Sequence, residues 1–278
     1  MNKNDKAPIG VFDSGFGGLS VLRGLRKALP QYDYLYLGDN ARAPYGTRSF
    51  DMVYRFTLQC VRHLFDQGCP LVILGCNTAS AKALRTIQQR WLPQSGDPTR
   101  RVLGVIRPTA EAIAGMETNG HIGVFATPGT IASGSYEIEI HKLCPDYRVS
   151  GHSCPIWVPL VEYGYAGSPG ADFFVREGVE ALLTKDPEID TALLACTHYP
   201  LLYDKIRAAL PGHIRLISQG DIVADSLTDY LRRHPEMECR LSRGAGVDYL
   251  TTDHAEKFDQ TATLFLGEPV TAKTVTVS

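Results

Sequence analysis

"LLACTHYPLL", residues 193–202, is an apolar run that ends in a thiol, a hydroxyl and an imidazole, at Cys196, Thr197 and His198. "LVILGCNTAS", residues 71–80, does almost the same thing: four apolar residues, then Gly75, Cys76, Asn77 and Thr78. A short continuous apolar run bounded by turn residues fits a strand covered on both faces, the kind found in parallel sheets. Both cysteines therefore fall in the turn at the carboxyl end of a buried strand.

Similar runs recur along the chain: IGVF (9–12), YLYL (34–37), RVLGVI (101–106), HIGVF (121–125), TALLA (191–195), IRLIS (214–218) and VDYLTT (247–252). Helical patterns lie between many of them. LSVLRGLRKAL (19–29) repeats leucine at 19, 22, 25 and 29, a period near 3.6, and Pro30 stops it. ASAKALRTIQQRWL (79–92) follows the first cysteine run and ends at Pro93. Alternating strands and helices predict parallel sheets covered by helices.

The chain also repeats itself. IGVFDSGFGGLS (9–20) aligns without gaps on IGVFATPGTIAS (122–133), and after a similar interval each copy reaches a strand that ends in cysteine. The predicted fold is α/β: two similar α/β/α domains with mostly parallel sheets, related by pseudo-twofold symmetry, with the site in the cleft between them. The polar linker PQSGDPTR (93–100) and the segment after the second cysteine turn are the natural crossing points. They divide the chain into 1–98 plus 210–278 and 99–209. In open α/β sheets ligands sit outside the carboxyl ends of the strands. Four polar turns lie at such ends, at Asp13–Ser14, Cys76–Thr78, Thr127–Thr130 and Cys196–His198. Two facing domains would put one thiol on each side of a bound molecule.

Composition narrows the function classes. The chain has 278 residues, 44% of them apolar, enough for two α/β cores. A net charge of -2 leaves no basic footprint for nucleic acid. The leading MNKNDKAP has no apolar stretch, and no later run is long enough to span a bilayer, so the expected location is the cytoplasm. Seven cysteines without C-x-x-C spacing argue against a disulfide framework and against a cysteine-rich metal site. Cys60, Cys69, Cys144, Cys154 and Cys239 lack a strand-end context and are expected to be ordinary core or surface thiols.

Two facing thiols suit inversion at carbon. One group removes a proton as thiolate, and the other delivers a proton as thiol to the opposite face. Cysteine titrates ordinarily near 8.5, so both forms are reachable close to neutrality. Taking a proton from a carbon beside a carboxylate develops negative charge that needs hydrogen-bond donors. Ser14, Asn77, Thr78, Thr127, Thr130 and Thr197 carry suitable side chains. Asp13 fits either a capping carboxylate or one that relays protons, and His198 titrates near neutrality. Tyr45, in PYG (44–46), is either a turn residue or a phenol that donates to a substrate carboxylate. DSGFGG is a weak dinucleotide cradle, because Ser20 stands where the third glycine belongs.

Taken together, DSGFGGLSV (13–21), PYG (44–46), GCNTAS (75–80), ATPGTI (126–131), CPIWVPLVE (154–162), ACTHYPLL (195–202) and YLTTDHAEKF (249–258) resemble the glutamate racemases of the aspartate/glutamate racemase superfamily. The resemblance runs from about Ile9 to near the C-terminus. It implies a cofactor-independent enzyme in which Cys76 takes the proton from D-glutamate and Cys196 takes it from L-glutamate. Asp13 and His198 would assist, one on each side, with Glu162 a further acidic helper. Asp13–Ser14, Pro44–Tyr45–Gly46, Asn77–Thr78 and Thr197–His198 would hold the substrate, with Thr127 and Thr130 in a matching turn. The resemblance further implies a homodimer and a product, D-glutamate, destined for peptidoglycan. The chain departs from the pattern at Arg107, where the family has a small or neutral residue. Only residues 1–8 precede the first strand, so no activation by a cell-wall precursor is expected.

No pyridoxal phosphate is expected, since none of the four strand-end turns carries a lysine for a Schiff base. Three other readings stay open on sequence alone. They are the same two-thiol chemistry on another amino acid such as aspartate, a two-lobed module that binds a small acid without turnover, and thiol–disulfide exchange. The last is disfavoured by the missing C-x-x-C spacing.

Overall fold

The computed structural model describes residues 6–278. Among the described residues ten strands form two wholly parallel sheets. They are β1 (Ile9–Asp13), β2 (Tyr34–Gly38), β3 (Leu71–Leu74), β4 (Arg101–Gly104), β5 (His121–Ala126), β6 (Arg148–Ser153), β7 (Thr191–Ala195), β8 (Arg215–Ile217), β9 (Val247–Thr251) and β10 (Ala272–Thr274). The first sheet runs β10-β9-β2-β1-β3-β4 and the second β6-β5-β7-β8. The chain thus forms two α/β domains. The second sheet has the same order as the β2-β1-β3-β4 block of the first, and β9 and β10 extend only the first.

This shared order realises the repeat seen in the sequence. Phe12 of β1 pairs with Leu74 of β3, and Phe125 of β5 pairs with Leu194 of β7. Each cysteine stands two residues beyond the paired leucine, so Cys76 and Cys196 hold equivalent places. Burial on both sheet faces explains the unbroken apolar runs. Val11 and Ile73 enter one apolar cluster while Phe12, Val72 and Leu74 enter another. Phe125 and Leu194 join the cluster of Val11 and Ile73, so one core continues through both domains. Trp157 anchors its second-domain part, with ring centroids 5.1 Å from Phe125 and 4.9 Å from Tyr199. Burying a side chain of that size contributes about 3 kcal/mol, before the cost of ordering it.

Two expectations need correction. The changeovers between sheets come later than the 98/99 and 209/210 boundaries. β4 pairs with β3 and stays in the first sheet, while β8 pairs with β7 and stays in the second. A linker rich in proline and glycine marks a turn, but strand pairing decides membership. The pattern at 79–92 is also not one helix. A helix spans Asn77–Lys82, breaks at Ala83, resumes at Leu84–Thr86 and ends in a wide turn at Ile87–Trp91 and a tight one at Leu92–Gln94. The helix Leu19–Ala28 follows its leucine period, with Leu19, Leu22 and Leu25 buried and Leu29 as its cap ahead of Pro30. No helix among the described residues is long and apolar enough to cross a membrane.

Candidate active site

Parallel sheets send all their strand carboxyl ends to one side, and here the two sheets bring those ends together. Cys76 caps the helix Asn77–Lys82, its Sγ accepting from the Ala79 N–H at 3.4 Å and donating to Ser14 Oγ at 3.4 Å. Cys196 Sγ lies 3.9 Å from His198 Nδ1. Both thiols are almost wholly buried, and Cys76 feels the charge of Cys196 across the cleft. Burial, reinforced by the Asp13 carboxylate and only partly offset by Ser14 and Ala79, pushes the Cys76 thiol up to about 12.

Asp13 joins the two sides. It ends β1, has no exposed surface, and accepts from the Gly15 N–H at 2.8 Å and from Thr197 Oγ1 at 3.3 Å. Burial raises its carboxyl above the ordinary range, against the pull of His198, the Gly15 and Gly18 N–H groups and Thr197. Both DSGFGG glycines at 17 and 18 allow close approach rather than a phosphate cradle. A Cβ on Gly17 would stand 2.2 Å from Thr197 Oγ1, and one on Gly18 would stand 2.5 Å from Asp13 Cβ. Ser20 Oγ donates to the Gly17 carbonyl at 2.8 Å and across the domains to the Thr197 carbonyl at 3.0 Å. The residue in the third-glycine position is thus a bridge to the turn that carries Cys196.

His198 is buried with its two ring nitrogens occupied, Nδ1 by the Cys196 sulfur and Nε2 by Glu162 Oε1 at 3.0 Å. Burial alone works against the imidazolium. The hydrogen bonds and negative charge of Cys196 and Glu162 outweigh it and hold His198 up at about 10. The structure therefore brings Glu162, the end of the helix Trp157–Glu162, to the back of the histidine. Across the cleft, Thr78 Oγ1 meets Thr127 Oγ1 at 2.9 Å and Thr130 Oγ1 at 3.3 Å, making a three-hydroxyl cluster with one member from the first domain. Thr127 also caps the helix Pro128–Ala132, accepting from the Thr130 N–H.

Two expected residues differ in detail. The Tyr45 phenol is buried and donates to Asp39, so it does not face the cleft as a donor. Asp39 is also held by Arg42 Nε at 2.7 Å and Thr252 Oγ1 at 2.8 Å. What Pro44–Tyr45–Gly46 brings to the cleft is backbone: the Gly46 carbonyl accepts from the Gly129 N–H at 2.8 Å, and a Cβ on Gly46 would lie 2.8 Å from Thr127 Cβ. The Asn77 amide points to Gln219 and Tyr136 rather than standing free. Arg107, the departure from the family pattern, turns to Glu111 at 2.7 Å and Glu139 at 3.2 Å, which compensate its charge.

Sequence reasoning missed Asp39, Ser20, Tyr136 and Gln219. Asp39 follows β2 and Gln219 stands two residues after β8, so the polar-residue-at-strand-end signal that found the cysteines applies to both. A cavity of about 550 Å³ opens elsewhere between the domains, among Lys82, Arg85, Arg107, Glu139, Tyr230 and Arg233. Neither thiol lines it, and the convergence of thiols, carboxylates and imidazole defines the site better than that volume does.

Residues 9–227 match the family model described as Asp/Glu/Hydantoin racemase. The chain belongs to that family. The racemase from Roseobacter denitrificans, a glutamate racemase, is 43% identical over 269 residues, 93% of this chain and 96% of the relative. A glutamate racemase from Caulobacter sp. is also 43% identical, over 94% of this chain and 98% of its own. Among solved racemases, glutamate racemase isoform RacE1 of Bacillus anthracis superposes with a TM-score of 0.88 at 32% identity, covering 97% of both chains. The glutamate racemase of Francisella tularensis, solved with D-glutamate, superposes at 0.85 with 30% identity, covering 98% of both. The turns built above all lie within the span matched by the racemase family model.

Proposed function

We propose that this protein interconverts L- and D-glutamate by a two-thiol mechanism. The observation that carries the reading is the equivalence of Cys76 and Cys196: each stands at the end of the matching strand of its sheet, Cys76 beside Ser14 and the Asp13 charge and Cys196 beside His198, with Asp13 and Thr197 bonded to each other across the cleft. One thiolate takes the α-proton, and the electron pair left on carbon delocalises into the adjacent carboxylate. The opposite thiol then gives its proton to the other face, so the stereocentre inverts and the thiols exchange protonation states. Cys76 is poised as a thiol, and the α-ammonium of an entering amino acid supplies the positive charge that favours its thiolate. His198, carrying its proton beside Cys196 and backed by Glu162, serves proton transfer on that face, and Asp13 serves the Cys76 face. Ser14, the Thr78–Thr127–Thr130 hydroxyls, Thr197, and the backbone of Tyr45, Gly46 and Asn77 hold the substrate and its developing charge.

The choice of glutamate over aspartate rests on the relatives named above, which are glutamate racemases, and on the ACTHYP and PYG turns. By the same resemblance the enzyme works in the cytoplasm as a homodimer and supplies D-glutamate to peptidoglycan synthesis. The test is direct. Purified protein is incubated with L-glutamate in heavy water, without added cofactor, and optical rotation and α-proton signal are followed together. Rotation should decay to zero while deuterium enters the α-carbon. Retained rotation with tight binding would leave only a binding module, and faster turnover of L-aspartate would reassign the substrate.

A further inference from the structure

Four buried side chains meet where the chain passes between its domains. Gln219 lies just past β8 and Thr109 lies in the helix Ile106–Ala114 just past β4, so the two sit on the two crossings. Between them stand Asn77, the first residue of the helix capped by Cys76, and Tyr136 of the second-domain helix Ser135–His141. All four are nearly inaccessible to solvent.

Three of them close a ring. Asn77 Nδ2 donates to Gln219 Oε1 at 2.7 Å, Gln219 Nε2 donates to the Tyr136 hydroxyl at 2.6 Å, and Tyr136 donates to Asn77 Oδ1 at 2.5 Å. Gln219 Nε2 uses its second proton on Thr109 Oγ1 at 2.8 Å, and Thr109 passes its own proton to the Val105 carbonyl at 2.7 Å. Every bond runs in the same sense around the ring, which fixes the orientation of both amides. A buried network with every member satisfied holds one geometry, because any displacement leaves an unpaired polar group away from water.

We propose that the Asn77–Gln219–Tyr136 ring is a positioning device for Cys76, locking the capping turn of its helix to the second-domain helix Ser135–His141 and to the crossing after β8 so that this thiol faces the α-carbon. The proposal rests on the two-thiol reading above. Among the described residues no matching ring is bonded to the Cys196 turn, whose interdomain ties are the Ser20 bond to the Thr197 carbonyl and the Thr197 hydroxyl bond to Asp13. The device acts on one face only.

One-sidedness supplies the test. Tyr136→Phe opens the ring while keeping the bulk, and Gln219→Met does so from the other corner. Misplacing a reacting group by about 1 Å can cost on the order of 10²-fold, so kcat/KM should fall at least about tenfold in either variant. The decisive measurement is the primary isotope effect on kcat/KM with α-deuterated D- and L-glutamate in separate reactions. The effect should rise for D-glutamate, whose proton Cys76 removes, and shrink toward one for L-glutamate. Thr109→Val, outside the ring, should leave the ratio of the two effects at its wild-type value. The double variant Tyr136→Phe/Gln219→Met should be no slower than the slower single one, since both break one ring. If Tyr136→Phe does not fold, Gln219→Met carries the same expectation. Lower Tm with an unchanged ratio of isotope effects overturns the proposal, because a merely structural ring would slow both faces alike. Failure of the two-thiol reading would appear elsewhere, as racemisation surviving Cys76→Ala.

Discussion

His198 stands between Cys196 and Glu162, with Nδ1 3.9 Å from the sulfur and Nε2 3.0 Å from the carboxylate. Each ring nitrogen has one assigned partner, so the imidazole cannot turn without losing both. The carboxylate behind it favours the protonated ring, and the ring delivers that charge to the thiol.

Glu162→Gln should therefore lower the titration of His198 from about 10. A histidine raised on folding contributes stability that is complete below its unfolded value of about 6.5 and is lost as pH rises through its folded one. The Tm gap between wild type and variant should be widest near neutral pH, worth about 1–2 kcal/mol, and should close above about pH 10. The alkaline limb of the rate profile should move to lower pH. A gap that stays constant from pH 6 to about 10 would remove Glu162 as the source of the shift.

Cys76→Ala and Cys196→Ala should each abolish racemisation, since inversion needs a base on one face and an acid on the other. The double variant should be no worse than either single one. Both thiols come from one chain, on β3 and β7 turns of facing domains, so mixing the two single variants should restore nothing. Recovery on mixing would mean that the reacting pair forms across a subunit interface.

Gly17→Ala should disable the site more than the fold. The added methyl would fall 2.2 Å from Thr197 Oγ1 and 2.6 Å from His198 Nδ1, which forces the Cys196 turn away. A loss of about 10²-fold or more in kcat/KM is expected. Gly212→Ala is the matched control, because nothing lies within 4 Å of a Cβ there. Near-normal activity in Gly17→Ala would show that the two turns need not touch during turnover.

Tyr45→Phe should leave the chemistry nearly intact. The phenol is given to Asp39, which keeps Arg42 and Thr252 when it is gone. Stability should drop by about 1 kcal/mol, the usual net worth of one hydrogen bond, with kcat changed less than about threefold. A collapse of kcat at unchanged Tm would return the phenol to the substrate.

Much of the site was legible because its signals are local. Apolar runs of four or five residues followed by Cys, Asn, Thr or His gave the strands, their ends and the polar turns of the candidate site. The IGVF repeat gave two domains of one plan. β6 (RVSGHS) and β10 (AKT) were missed because each is an edge strand, only partly buried, with too few apolar residues to announce itself. The domain boundaries fell one strand early at each crossing, since proline and glycine mark where a chain turns and not which sheet the next strand joins.

The sequence by itself determined which thiol, hydroxyl and imidazole groups stand at which strand ends, because periodicity and turn chemistry act over a few neighbouring residues. Only the tertiary structure decided what each polar group faces. Asn77 turned out to bond Gln219, 142 positions away, and Thr197 to bond Asp13, 184 positions away. Tyr45, by contrast, gave its phenol to Asp39, six positions off, leaving its backbone at the cleft. Hydrogen bonds in a buried cleft are selected by packing two domains together, and partners so distant in the chain leave no pattern in any local stretch of it.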